Sequence, residues 1–171
     1  KKHAALPLPQ IKKLLQSKIH EERVCALLIL VHQFERGDFA LQEKIFAFYV
    51  ANFSYINNWD LVDLSAPKIV GAYLYETKDD KILQTWAKSS HLWTRRIAIV
   101  STYYFIKKDS FKYTLALCKT LISDEHDLIH KACGWMLREL GKRDEEVFCT
   151  FLKQYAHKLP RSALRYSRER L

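Results

Sequence analysis

Apolar residues return every three or four positions along most of the chain, the spacing of one face of a helix. Ile11, Leu14 and Leu15 predict a first helix from Pro9 to about Lys18, with Pro9 suited to the first turn. His20-Glu21-Glu22 leads into a second helix carrying Val24, Ala26, Leu27, Leu28, Leu30, Val31 and Phe34, stopped by Gly37. Asp38 caps a third, to about Phe53. Asn57 and Asn58 offer a cap for a fourth, starting near Trp59, whose stripe is Leu61, Val62, Ile69 and Val70 and which Pro67 bends or interrupts. Asp79-Asp80 opens a short helix through Trp86, and His91 to Lys107 forms the next. Asp109-Ser110 caps a helix through Leu121. Ser123-Asp124-Glu125 caps another through Leu140, ended by Gly141. Asp144 starts one to about His157, and Pro160 starts the last, through Arg168.

These ten helices fall into five pairs. Arg23, Asp60, Arg96, Lys131 and Arg165 open the second helices at steps of 37, 36, 35 and 34 residues. A two-helix unit at such a period is the mark of an α-solenoid, and without TPR signature residues in order a HEAT-like array is the better fit. The predicted fold is all-α: a right-handed solenoid of HEAT-like pairs forming a single domain over residues 1–171. Its concave groove is lined by one helix of each pair, so polar and aromatic residues at matching points on those helices converge there.

Composition sharpens this picture. Only four Gly and four Pro in 171 residues suit an all-helical chain. The formal charge is +9, which points to an acidic partner such as nucleic acid, although charge alone is weak evidence. No C-x-x-C pair occurs. Cys25, Cys118 and Cys133 sit among apolar residues and read as buried thiols in a reducing compartment. No signal peptide is visible, and the longest apolar run, Val24 to Val31, is far too short to span a bilayer. The abrupt start and end are consistent with a fragment.

Trp59 and Asp63, four residues apart, share a helix face. An aromatic plate beside a carboxylate suits a cationic ligand, because ring face and carboxylate both attract positive charge. Taken alone, the pair reads first as a first-turn acid complementing the helix dipole and a packing indole. The wider pattern adds weight to the groove. The second-helix starts carry Trp59-Asp60-x-x-Asp63, Trp93-Thr94-Arg95-Arg96 and Lys131-x-x-x-Trp135-x-x-Arg138, holding three of the four tryptophans. Trp93 precedes an apolar run and reads as packing.

Asn58-Trp59-Asp60-Leu61-Val62-Asp63, Trp93-Thr94-Arg95-Arg96-Ile97-Ala98-Ile99 and Gly134-Trp135-Met136-Leu137-Arg138-Glu139, in this order, resemble the signatures of the DNA alkylation repair family of HEAT-like glycosylases, the AlkD family. The closing Leu159-Pro160-Arg161 also matches, and the likeness runs from about Ile11. The resemblance implies that Asp63 is the catalytic carboxylate, that Trp59 and Trp135 pack on the deoxyribose of the damaged nucleotide, and that Arg96 contacts the DNA backbone near the lesion. It implies release of N3- or N7-alkylated purines from duplex DNA, with the lesion largely stacked rather than flipped into a pocket. The family carries a further leading helical pair, so the resemblance also implies a truncated N-terminal part.

DNA would be held by a row of basic residues at repeat spacing: Arg23, Lys68, Arg95, Arg96, Lys131, Arg138, Arg161 and Arg165. Each one singly reads as a solvated surface charge, and Arg138 also as a partner of Glu139. His126 and His130 have metal-ligand spacing but no third ligand at a fitting distance, so no metal and no cofactor is expected. There is no Gly-rich phosphate loop and no activated thiol. The expected partner is double-stranded DNA with alkylated bases, met by a monomer in the cytoplasm without membrane contact. The alternative is a HEAT-like module that binds damaged or branched DNA and does no chemistry. A protein-binding solenoid would leave the Trp-Asp pair and the basic row without a use.

Overall fold

The computed structural model describes residues 6–79 and 81–169. Helices α1 (Leu8–Leu15), α2 (His20–Arg36), α3 (Phe39–Ala51) and α4 (Trp59–Ala66) come first. A wide π-type turn, Pro67–Gly71, joins α4 directly to α5 (Ala72–Thr77). Then follow α6 (Lys81–Ala87), α7 (Leu92–Lys107), α8 (Lys112–Thr120), α9 (Asp127–Gly141), α10 (Glu145–Tyr155) and α11 (Arg161–Arg168). With α4 and α5 taken as one rod, the described residues give the ten expected helices and no strand.

The second helices of successive pairs stack on one another: α2 on α4, α4 on α7, α7 on α9, and α9 on α11. The first helices pack along one side of this row, α1 on α2, α6 on α7, α8 on α9 and α10 on α9. This is a HEAT-like array. Each helix buries a stripe too small to be stable alone, and stacking joins the stripes into one core. Ile45, Leu61, Val62, Ile69, Ile97, Val100, Ile129, Met136 and Leu137 lie in it with no exposed surface.

Two glycines set how closely the row can stack. A Cβ on Gly134 would lie 2.5 Å from the Ala163 carbonyl and 2.6 Å from the Tyr166 Cβ. Gly71 meets the Ser101 backbone and the Tyr104 Cβ in the same way. Both let a neighbouring second helix approach backbone to backbone.

Several expected caps are present. Asp38 accepts from the Leu41 amide, Asp144 from the Val147 amide, and Asn58 from the Trp59 amide. Others differ for identifiable reasons. Asp109 takes a left-handed conformation (φ 55°) and pairs with Arg143, so α8 starts at Lys112 without a side-chain cap. Asp124 turns to Arg95, and His126 caps α9 by accepting from the Leu128 amide. Gly141 lies inside the last turn of α9 rather than beyond it. The first helix stops at Leu15 rather than Lys18, and α3 at Ala51, where a tight turn at Phe53–Tyr55 follows. Asp80 lies outside the described residues, so the opening of α6 there is not described. Cys118 and Cys133 are buried as expected, but Cys25 is exposed, in a shallow groove that it lines with Leu14 of α1 and Ile29 of α2.

Candidate functional site: an aromatic and charged cleft

The starts of α4 and α7, one face of α9 along its length and the end of α11 meet around an open cleft of about 400 Å³. It is lined by Trp59, Asp63, Arg96, Leu128, Lys131, Trp135, Arg138 and Tyr166. Six of these were expected at the site from sequence. Leu128 and Tyr166 were not, because neither belongs to a motif and only the docking of α11 brings Tyr166 over the cleft. Arg23, Lys68, Arg95, Arg161 and Arg165 do not line it.

Asp63 is anchored by Arg96. The guanidinium donates from Nε to Asp63 Oδ1 (3.0 Å) and from Nη2 to Oδ2 (2.8 Å), a two-pronged contact that fixes the carboxylate plane. Arg96 Nη1 donates to the Leu128 carbonyl in the first turn of α9. Arg96 therefore ties three successive second helices together. Its side chain is 6% exposed and that of Asp63 is 19%. Every nitrogen of Arg96 has a partner within the chain, an arrangement different from an arginine reaching outward to a DNA backbone.

Two opposing effects act on the Asp63 carboxyl. Burial raises its pKa above the ordinary carboxylate value, as does the nearby Asp60 charge, while the Arg96 hydrogen bonds and charge pull it down; burial prevails.

The support beneath α4 is polar as well as apolar. Ser65 Oγ donates to the Leu61 carbonyl (2.6 Å) and accepts from the buried Tyr49 hydroxyl (2.7 Å), which ties α3 to α4. Burial pushes the Tyr49 phenol well above its ordinary range, so it remains a donor. Asp60 accepts from the Leu61 amide and lies 2.6 Å from His20 Nε2. Arg23 Nη2 contacts His20 Nδ1 at 3.1 Å. An arginine can only donate, so Nδ1 accepts and Nε2 carries the proton given to Asp60. Arg23 thus braces α2 against α4. Arg95 has a similar bracing part: it donates to Asp124 (2.6 Å) and to the Ser89 and Ser90 carbonyls.

The aromatic walls differ in freedom. Trp59 is 53% exposed. Trp135 is half-buried, and its ring lies 5.7 Å from that of Tyr103, which in turn carries the Lys107 ammonium 4.7 Å above it. Three cations and one carboxylate line the cleft. Lys131 pairs with the exposed Asp127 at 2.7 Å, which lowers the Asp127 pKa. Arg138 makes long contacts with Glu139 (3.3 Å) and Glu169 (3.4 Å). The Lys131–Asp127 pair is partly solvent-exposed and contributes little, so another anion can displace it, while Arg138 is half-buried and meets its two carboxylates only at long range.

The two histidines with metal-ligand spacing serve local ends: His126 caps α9, and His130 Nε2 donates to the Asp124 carbonyl. Among the described residues no three His, Cys, Asp or Glu cluster to hold a metal ion, and no helix is long and apolar enough to cross a membrane.

An all-helical repeat array with a basic, aromatic cleft around one anchored carboxylate defines the class. The family described as DNA alkylation repair enzyme matches residues 1–171, and the chain belongs to that family. Membership supports a role for the chain in repair of alkylated DNA. Among solved structures, the chain is similar to a predicted DNA alkylation repair enzyme from Enterococcus faecalis, with 19% identity and a TM-score of 0.78, over 99% of this chain and 79% of that one. It is also similar to smu.31 from Streptococcus mutans UA159, with 20% identity and a TM-score of 0.68, over 99% and 88% of the two chains. At these identities the likeness establishes the shared fold. No curated protein matches the chain.

Proposed function

We propose that the protein is a monofunctional DNA glycosylase that excises cationic N3- and N7-alkylpurines from duplex DNA, acting as a cytoplasmic monomer without metal or cofactor. The observation that carries this reading is Asp63 held on two prongs by Arg96 in the same cleft as Trp59 and Trp135.

Alkylation puts positive charge on the purine and weakens the bond from C1′ to the base. As that bond breaks, its electron pair leaves with the base, which becomes neutral, and the sugar takes on oxocarbenium character. Asp63 stabilises that cation and polarises a water, which adds to C1′ and gives up its proton to the carboxylate or to solvent. The phosphodiester bonds stay intact. The indole faces of Trp59 and Trp135 hold the sugar and favour its developing charge. Arg96 keeps the carboxylate ionised and oriented, while Lys131 and Arg138 supply charge for phosphates, with Arg23, Lys68, Arg95, Arg161 and Arg165 contributing to the basic field outside the cleft. The cleft is open and has no Asn, Gln or Glu in its lining, which supports a lesion base left in the stack rather than read in a pocket.

One observation favours a module that binds damaged or branched DNA without chemistry: both Asp63 oxygens are already engaged by Arg96. A carboxylate has about four lone-pair sites, however, so two contacts leave room for a water.

The test is release of free N7-methylguanine from methylated duplex by the wild type and by Asp63→Asn. Loss of one electrostatic contact of this kind slows the chemical step about 10²–10³-fold. Duplex affinity should persist or rise, since a negative charge leaves the cleft. Equal release by both proteins would sink the role of Asp63, and no release by the wild type would favour the binding module.

A further inference from the structure

Tyr166 enters the cleft from α11, and the fold takes unusual care to place it. Gly134, beside Trp135, lacks the Cβ that would strike the Ala163 carbonyl and Tyr166 Cβ, so α11 lies directly against α9. Ala163 and Ser167 turn into that contact and are buried, while Tyr166 stands on the flank, half-buried, in the lining of the cleft. The Arg165 guanidinium lies 5.5 Å from its ring centroid. A cation on a phenol ring holds the plate and draws electron density from it, which makes the hydroxyl a better donor. Lys131 and Arg138, both on α9, line the cleft with it.

We propose that Tyr166 is a substrate-positioning residue that donates its hydroxyl to a phosphate next to the damaged nucleotide, completing an anion-binding corner with Lys131 and Arg138. A sugar resting on Trp59 and Trp135 near Asp63 carries its phosphates outward. The wall that carries the Lys131 and Arg138 cations and the Tyr166 phenol is where such an anion is stabilised. Arg165 does not line the cleft and acts through the ring it supports. The proposal rests on the glycosylase reading for the identity of the ligand.

The experiment compares Tyr166→Phe, Tyr166→Ala and Lys131→Ala with the wild type, measuring duplex affinity over a range of salt, single-turnover base release, and thermal stability. Tyr166→Phe keeps the packing against Gly134. It should weaken affinity for alkylated duplex by roughly tenfold, the size of one hydrogen bond to a charged group. A neutral hydroxyl releases no counterion, so the salt slope should stay that of the wild type, whereas Lys131→Ala should flatten it by about one. Tyr166→Ala should lose affinity and also melt lower. Wild-type affinity in Tyr166→Phe overturns the proposal even if the alanine variant unfolds. Absence of base release by the wild type instead defeats the glycosylase reading, and the affinity comparison still decides Tyr166.

Discussion

Replacing Arg96 with methionine isolates what holds the candidate catalytic carboxylate. Methionine keeps much of the apolar stem but removes two hydrogen bonds to Asp63 and one to the Leu128 carbonyl. Both partners of the ion pair are less than one-third exposed, so solvent does not screen it away. Breaking such a pair from one side leaves a desolvated charge and costs roughly 3–5 kcal/mol. The cleft lets some water reach Asp63, which puts the expectation at about 3 kcal/mol at neutral pH. The sign with pH follows from linkage. Burial already raises the Asp63 pKa, so the folded state disfavours its ionised form, and the group stabilises the fold more when protonated. Its contribution is lost as pH rises from the ordinary carboxylate value through the folded one. Without Arg96 the folded value moves higher, so the destabilisation should shrink as pH falls into that window. Denaturant melts at several pH values measure this directly, and the acid limb of single-turnover base release should move to higher pH in step. A double-mutant cycle gives the sharpest check: in an Asp63→Asn background the Arg96 substitution should cost about 2 kcal/mol less, since no charge is stranded. Equal cost in both backgrounds, or an acid limb that does not move, would refute the reasoning.

Two further outcomes follow from the same geometry. Trp59→Ala removes a plate that is 53% exposed, so stability should change by no more than about 0.5 kcal/mol, while base release falls roughly tenfold through the lost cation–π contact; a parallel loss of melting temperature would show the indole to be packing instead. Gly134→Ala puts a methyl 2.5 Å from a carbonyl that cannot rotate away, so it should cost about 1–3 kcal/mol and weaken DNA binding by displacing Tyr166, both read by melting and duplex titration.

The repeat architecture was legible because its cause is local. Apolar spacing and a 34–37-residue step between second-helix starts are properties of the string, and the array follows from stacking the stripes they define. Trp59, Asp63, Arg96, Lys131, Trp135 and Arg138 were legible as a set because matching positions on stacked helices must converge. The identity of partners was not. Arg95 and Arg96 are adjacent in the chain and alike in chemistry, yet one braces the loop before α9 and the other grips Asp63. Helix phase alone decides that, and a slip of one residue would exchange them. Asp109 and Asp124 look like caps in isolation, but each has an arginine from another repeat within reach, and a charged partner outbids a lone amide. Tyr166 left no trace because its place depends on a missing Cβ 32 residues earlier.

The wide turn at Pro67–Gly71 has a bearing on which changes the chain can absorb. A turn of this type accommodates one residue more than a regular helix, and each residue advances the spiral by about 100°. Deleting a single amino acid there would let the rod wind evenly, but at the expense of swinging its leading half, with the acid and its indole, around the axis relative to the half pinned by Gly71. Length is therefore guarded in that stretch as strictly as spelling: the exposed Lys68 can vary, whereas Gly71 and the buried Ile69 and Val70 cannot, and a one-codon deletion would carry Trp59 and Asp63 away from Arg96 and Trp135.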